Sequence, residues 1–332
     1  MRHIFQCLDG HACGNPVRLV TGPLPFLQGT TMGEKRADFM ARFDWIRRAL
    51  MFEPRGHDMM SGAMFYPPCS PDADASILFI ETSGCLPMCG HGSIGALTMA
   101  LENGVITPAD RRCVHLDAPA GRIVAEIDWQ GDRVAGVRIR NVASYLAVSG
   151  LVLEIPGWQS LTVDIAYGGN FYVIIEPQPG YADLAALTVA DILRLSPLVR
   201  AAANDAVTLA HPEDPRVGGV SHALWAGRPQ DPSAHARNAV FYGSRAIDRS
   251  PCGTGTSARM AQLVARGDLQ IGDAFVHESI IGSLFEGRVE GATRVGGFPA
   301  IRPSIRGWAV QTGVNAIWVD DNDPYAGGFT VG

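Results

Sequence analysis

The chain has 332 residues, 47% of them hydrophobic and 18% charged, with a net charge of −6. That length can bury substantial cores, and at ~100–200 residues per domain it suggests two domains. An acidic balance without a basic run argues against nucleic acid as a partner. No run of about eighteen apolar residues marks a membrane span, and Met1-Arg2-His3-Ile4-Phe5-Gln6 has no apolar signal core, so a cytoplasmic protein handling a small molecule is expected. Seven cysteines, an odd number scattered without a framework, should be mostly reduced.

Ile4 to Gly10 alternates as a strand does; Gly10 to Pro16 reads as a turn, and Val17 to Val20 as a second strand. From Gly33 to Met51, Phe39, Phe43, Ile46 and Leu50 recur among charges and predict one amphipathic helix. Strands follow at Met60 to Tyr66 and Ser76 to Thr82, the second leading into Met88-Cys89-Gly90-His91-Gly92-Ser93-Ile94-Gly95. Beyond those glycines Ile94, Leu97 and Leu101 keep helical spacing up to a stop at Gly104. Short strands are read near Arg112–Leu116, Arg122–Ile127 and Val134–Ile139.

The order of events then begins again. Val163 to Tyr167, the turn Gly168-Gly169-Asn170 and Phe171 to Ile175 echo the opening strand, the Gly14-Asn15 turn and the Val17 strand. Leu187 to Ala203 reads as a second long helix. Pro251-Cys252-Gly253-Thr254-Gly255-Thr256-Ser257-Ala258 repeats the cysteine motif, followed by Met260, Leu263 and Val264 at helical spacing and a stop at Gly267. Val276-His277-Glu278-Ser279 resembles Val114-His115-Leu116-Asp117, and Ala309 to Val319 forms a last apolar strand. Matched landmarks in the same order imply an internal duplication: two similar α/β domains, each with one buried helix that carries a cysteine at its N-terminus.

At a helix start several backbone N–H groups lack partners and the macrodipole is positive, so an anion is held there and a thiol ionises more readily. Two such cysteines facing each other would make a symmetrical acid–base pair. Gly90-x-Gly92-x-x-Gly95 and Gly253-x-Gly255-x-x-Ala258 also satisfy a dinucleotide fingerprint, which leaves a non-catalytic nucleotide- or amino-acid-binding protein as the alternative from another class. Against it, a Rossmann chain needs one fingerprint near its first strand and an acidic residue about twenty residues on. Cys7, Cys13, Cys69, Cys85 and Cys113 have no counterpart in the other half and read as structural; Cys7, His11 and Cys13 match no zinc spacing, and no metal ligands are assigned. Asp248 is placed to hold a protonated amine or to serve as a turn residue, and His91 and Thr254 to bond a ligand or to cap their helices.

Met88–Gly95 and Asp248–Ala258 together resemble the proline racemase family, as do Glu53-Pro54-Arg55-Gly56-His57, Tyr167-Gly168-Gly169-Asn170-Phe171-Tyr172, His235-Ala236-Arg237-Asn238 and Asp323-Pro324-Tyr325-Ala326. The resemblance covers nearly the whole chain and is closest to the bacterial 4-hydroxyproline 2-epimerase branch. It implies an α/β fold of the α+β type, diaminopimelate epimerase-like: two pseudo-symmetric domains, 1–133 plus 299–332 and 134–298, each wrapping sheet around a central helix, with the active site between them. It implies cofactor-independent inversion at Cα by Cys89 and Cys252, with Gly90, His91, His222, Asp248, Gly253 and Thr254 contacting substrate, Asp248 at the ring nitrogen. The expected partner is hydroxyproline or proline, with a possible homodimer. Proline racemase is the alternative activity. A trans-3-hydroxyproline dehydratase resembles the family but carries threonine where this chain keeps Cys252.

Overall fold

The computed structural model describes residues 1–331. The chain divides into two compact units, Met1–Ile139 together with the chain from Gly307 onward, and Arg140–Arg306.

In the first unit β1 (Arg2–Ala12) pairs antiparallel with β2 (Asn15–Gly22) and with the final strand, β19 (Ala309–Asp320). β2 runs parallel to β3 (Ser61–Tyr66), β3 antiparallel to β4 (Ala75–Glu81), β4 parallel to β5 (Cys113–Ala118), and β5 antiparallel to β6 (Gly121–Gln130), which is followed by β7 (Arg133–Arg140). All of β4 is buried, a continuous apolar run of the kind a strand shows when both faces are covered. Leu78 and Ile80 join a cluster with Phe39, Ile46 and Leu50, whereas Phe79 faces the glycine-rich start of the central helix α3 (Gly90–Glu102). Every residue of α3 from Gly90 to Ala100 is buried, with no acidic residue in its first turn and no basic residue in its last. It packs against β1, β2, β3 and β19.

The single helix expected over Gly33–Met51 is two, α1 (Met32–Arg42) and α2 (Asp44–Met51). Phe43, at φ −129° and ψ 8°, closes the first by donating to Phe39 O (2.7 Å) and opens the second by accepting from Ile46 N–H (2.9 Å). The break lets Arg47 pair with Asp44 and donate to Glu81 O at 2.7 Å, which ties α2 to the end of β4. Periodicity misses it because Met32 and Phe39 before the break and Ile46, Ala49 and Leu50 after it all enter one cluster.

In the second unit β8 (Tyr145–Glu154), β9 (Ser160–Tyr167) and β10 (Phe171–Ile175) form an antiparallel meander. After α4 (Val189–Ala206) and a small ribbon of β11 (Ala210–His211) and β12 (Asp214–Gly218), β13 (Val220–Gly227) lies parallel to β10. β13 is antiparallel to β14 (Ala236–Tyr242), which also pairs with the short β15 (Ala246–Ile247). After α5 (Gly253–Arg266), β16 (Ala274–Glu278) runs parallel to β14 and antiparallel to β17 (Leu284–Val295), itself antiparallel to β18 (Phe298–Gly307). The sequence of parallel and antiparallel pairings from β2 to β6 thus recurs from β10 to β17. α5 packs against β8, β9, β10 and β17. Its buried long polar side chains are paired: Arg259 Nη1 with Glu176 (2.7 Å), and Gln262 donating to Asp164 at 2.8 Å. No described helix is long and apolar enough to cross a membrane.

Candidate active site at two helix mouths

Cys89 is the residue before α3, in extended backbone at φ −139° and ψ 112°, and its sulfur caps the helix by accepting Gly92 N–H at 3.3 Å. Gly92 has to lack a side chain, since a Cβ there would lie 2.8 Å from that sulfur. His91, buried on the first turn, places Nδ1 3.7 Å and Nε2 3.8 Å from Cys89 Sγ. Its Nε2 lies 2.9 Å from Asn15 Nδ2 and 2.9 Å from Ser61 Oγ. The Asn15 amide nitrogen, a donor only, faces Nε2. Asn15 comes from the β1–β2 turn and Ser61 opens β3, so two strands orient the imidazole.

The end of β4 adds Glu81, also buried. A carboxylate oxygen of Glu81, the Cys89 sulfur and a ring nitrogen of His91 lie within 4.8 Å of one another. Thiolate, imidazole and carboxylate form a donor set able to hold a divalent cation such as zinc, a grouping the sequence reading did not anticipate.

Cys252 precedes α5 in the same way but in different backbone, φ 62° and ψ 105°, which side chains other than glycine rarely adopt. Such a conformation costs on the order of 1–3 kcal/mol and persists only where its surroundings over-determine it. Here Pro251 O accepts from Asn238 Nδ2 at 2.7 Å and Thr256 Oγ1 at 3.1 Å, Ser250 Oγ accepts Cys252 N–H at 3.2 Å, and Cys252 O accepts Thr256 N–H at 2.7 Å. Behind this shelf His277 Nδ1 lies 2.9 Å from Thr256 Oγ1 and 3.2 Å from Asn238 Nδ2. Burial, with Arg259 nearby, pushes the His277 imidazole down to about 3, so it is neutral.

The Cys252 sulfur faces two hydroxyls, 3.3 Å from Tyr172 Oη and 4.0 Å from Thr254 Oγ1. Tyr172 Oη is 2.5 Å from Thr254 Oγ1, which also receives Asn170 Nδ2 at 3.5 Å. Burial pushes the Cys252 thiol well up and the Asp248 carboxylate adds to it, while the Tyr172 hydroxyl, the nearby Gly255 amide and the Thr254 hydroxyl pull the other way. Asp248 is buried and accepts both Ser250 N–H and Ser250 Oγ–H at 2.8 Å.

Cys89, Gly90 and His91 therefore form one group, and Asp248, Cys252, Gly253 and Thr254 another. His222 joins the second through Tyr172: its ring lies 4.6 Å from that of Tyr172 and 6.1 Å from that of Tyr242, with Ser221 Oγ 2.7 Å from its Nδ1. Both sulfurs precede the first residue of a buried helix, but the backbone at the cysteine and the side chains beside each sulfur differ. Among the other thiols, burial raises Cys7 and Cys85 to about 12, in keeping with a packing role. Reading the sequence missed Asn15, Ser61 and Glu81 in one group and Asn170, Tyr172, Asn238 and His277 in the other. The repeated Gly-Asn turn was the signal for two of them: Asn15 and Asn170 each reach the residue two places after a cysteine.

Comparison with known proteins extends these observations. A "Probable 4-hydroxyproline 2-epimerase" of Rhizobium meliloti is 58% identical over 329 residues, 99% of either chain. A "4-hydroxyproline 2-epimerase" of Shewanella loihica is 59% identical over 331 residues, 100% of this chain and 99% of the other. The crystal structure of a hydroxyproline epimerase from Agrobacterium vitis with bound trans-4-OH-L-proline superposes with a TM-score of 0.90 at 28% identity, covering 99% of this chain and 95% of that one. The α/β fold with a sheet around a buried helix is thus the expected one. The family model for proline racemase matches residues 7–330, and the chain belongs to the proline racemase family.

Proposed function

We propose that this chain is a 4-hydroxyproline 2-epimerase that interconverts trans-4-hydroxy-L-proline and cis-4-hydroxy-D-proline, with Cys89 and Cys252 as its acid–base groups. The observation that carries the reading is the twofold recurrence of a thiol at the mouth of a buried helix, each with a polar residue two places on that an asparagine from a strand turn holds. Identity of 58–59% over nearly the full length to proteins so named supports the substrate.

The chemistry follows from the groups. A hydroxyproline zwitterion offers a cationic ring nitrogen and a carboxylate. Asp248 takes the first, and the helix-start amides around Gly90-His91 and Gly253-Thr254 take the second. Negative charge that develops on the carboxylate as the Cα–H bond breaks is stabilised by the same amides. One thiolate accepts the proton, forming S–H, and the electron pair stays on the planar carbanionic substrate. The other thiol then donates its proton to the opposite face of Cα and becomes the thiolate. Within one turnover the protons balance on the two sulfurs, and exchange of those protons with solvent after product release restores the starting state for another forward turnover. Substrate binding also opposes the effect of Asp248 on Cys252: a cation beside that carboxylate cancels the charge that keeps the thiol protonated.

The test is incubation of the reduced protein with trans-4-hydroxy-L-proline in D2O, followed by chiral chromatography and mass spectrometry. The expected product is cis-4-hydroxy-D-proline with one deuterium at Cα. No product from 4-hydroxyproline alongside racemisation of proline moves the assignment to proline racemase; loss of water from 3-hydroxyproline moves it to a dehydratase.

A further inference from the structure

We propose that Tyr172 and Thr254 form a reversible pair of hydroxyls that holds the Cys252 sulfur in either of its protonation states, making Tyr172 a positioning residue of the reaction. The inference rests on the reading of Cys252 as an acid–base group, and it concerns a motif, the Gly-Gly-Asn-Phe-Tyr turn, whose tyrosine the mechanism above leaves without a role.

The geometry is a short chain of three atoms, Cys252 Sγ, Tyr172 Oη and Thr254 Oγ1, at 3.3 Å and 2.5 Å. Each hydroxyl has one proton to give and lone pairs to receive. When Cys252 is a thiol, S–H donates to Tyr172 Oη and the phenol donates to Thr254. When Cys252 is a thiolate, Thr254 donates to Tyr172 Oη and the phenol donates to the sulfur. The two states differ only by rotation of two O–H bonds, so the site accommodates loss and gain of a proton without moving a heavy atom. A hydrogen bond to an ionised sulfur is worth more than one to a neutral group, and its advantage grows where water is excluded.

The phenol does not itself take over the charge. Burial, with the Cys252 and Asp248 charges beside it, raises Tyr172 well above its ordinary value of 10.0. The ring is fixed on one side by His222, at 4.6 Å between centroids, and on the other by Gly255, where an added Cβ would lie 3.2 Å from Tyr172 Cε1. The first unit differs at the corresponding position. Two places after Asn15 stands Val17, as Tyr172 stands two places after Asn170, and Val17 packs against Gly95. Cys89 has an imidazole and a cap amide beside it instead. The second thiol, raised by burial and by the Asp248 carboxylate, is the one that carries the hydroxyl pair.

Tyr172→Phe keeps the ring and removes the relay. In turnover, kcat is expected to fall about 10- to 100-fold, the loss of one hydrogen bond to a charged group, with KM within about twofold. Independently of any substrate, the pH at which iodoacetamide alkylates Cys252, measured by peptide mass in a Cys89→Ser background, should move up by about 1 unit. Alkylation of Cys89 in a Cys252→Ser background should be unchanged. Should Tyr172→Phe fail to fold, Thr254→Val against Thr254→Ser decides: the shift is expected with valine and not with serine. An alkylation profile for Cys252 that is the same with and without the hydroxyl overturns the proposal. A shifted profile in a protein that epimerises no proline derivative leaves the hydroxyl pair standing and removes the reading of the reaction.

Discussion

At the first helix mouth the sulfur of Cys89 receives a backbone amide at 3.3 Å, an imidazole stands 3.7 Å away, and the backbone is ordinary extended chain. At the second, Cys252 sits at φ 62°, its sulfur faces a phenol at 3.3 Å, and a buried aspartate opposes its ionisation. What the duplication kept is the scaffold: a turn asparagine, a strand pair and a buried helix whose free amides all point the same way. What it let diverge is the set of groups that tune each sulfur. The asymmetry does not appear in the ratio of forward to reverse kcat/KM, which the equilibrium constant sets. It appears in how each thiol reacts alone.

The largest expected effect comes from removing either thiol. Cys89→Ser and Cys252→Ser should each lower kcat/KM by about 10²- to 10⁴-fold, the range general acid–base groups supply, while Cys113→Ser stays within about twofold of the parent. A Cys89→Ser enzyme that still epimerises near the parent rate breaks the comparison, because the repeated motif would then not be a pair. Asp248→Asn separates the two mouths more finely. Removing the carboxylate that raises the Cys252 thiol should speed its alkylation several-fold at pH 8 and leave Cys89 alkylation alone, while turnover drops roughly 10- to 100-fold for want of a charged partner at the ring nitrogen. Both readouts moving down together would mean that the aspartate only supports the fold.

The smallest effect concerns the shelf beneath Cys252. His277 has a folded-state value of about 3 against an ordinary 6.5, so between those limits the unfolded chain binds the extra proton. Its contribution is fully present above about pH 6.5 and is lost as pH falls toward 3, at no more than about 1.4 kcal/mol per pH unit. Thermal unfolding between pH 6.5 and 4.5, above the range where most carboxylates titrate, should therefore show a slope that His277→Asn flattens. An unchanged slope would take His277 out of the account of the strained turn.

The duplication, the helix mouths and the two cysteines were legible in the linear order because each depends on neighbours in sequence: glycine where a sulfur needs room, apolar residues at helical spacing, a stop at Gly104 and at Gly267. The strands β13 and β14 were not read, since their continuous burial comes from covering elements that no local pattern records, and β8 and β17 were missed as well, although β17 alternates buried and exposed residues. The break at Phe43 escaped notice for a related reason, as its apolar stripe continues across it and its cause is an arginine reaching Glu81 on another strand. Most of the tuning around the sulfurs was hidden as well. Asn15 meets His91 across 76 positions and Tyr172 meets Cys252 across 80. Residue order specifies which groups a local turn or helix start presents; which distant side chain comes within hydrogen-bond reach of them is set by strand register and packing, and there the surroundings of the two sulfurs diverge.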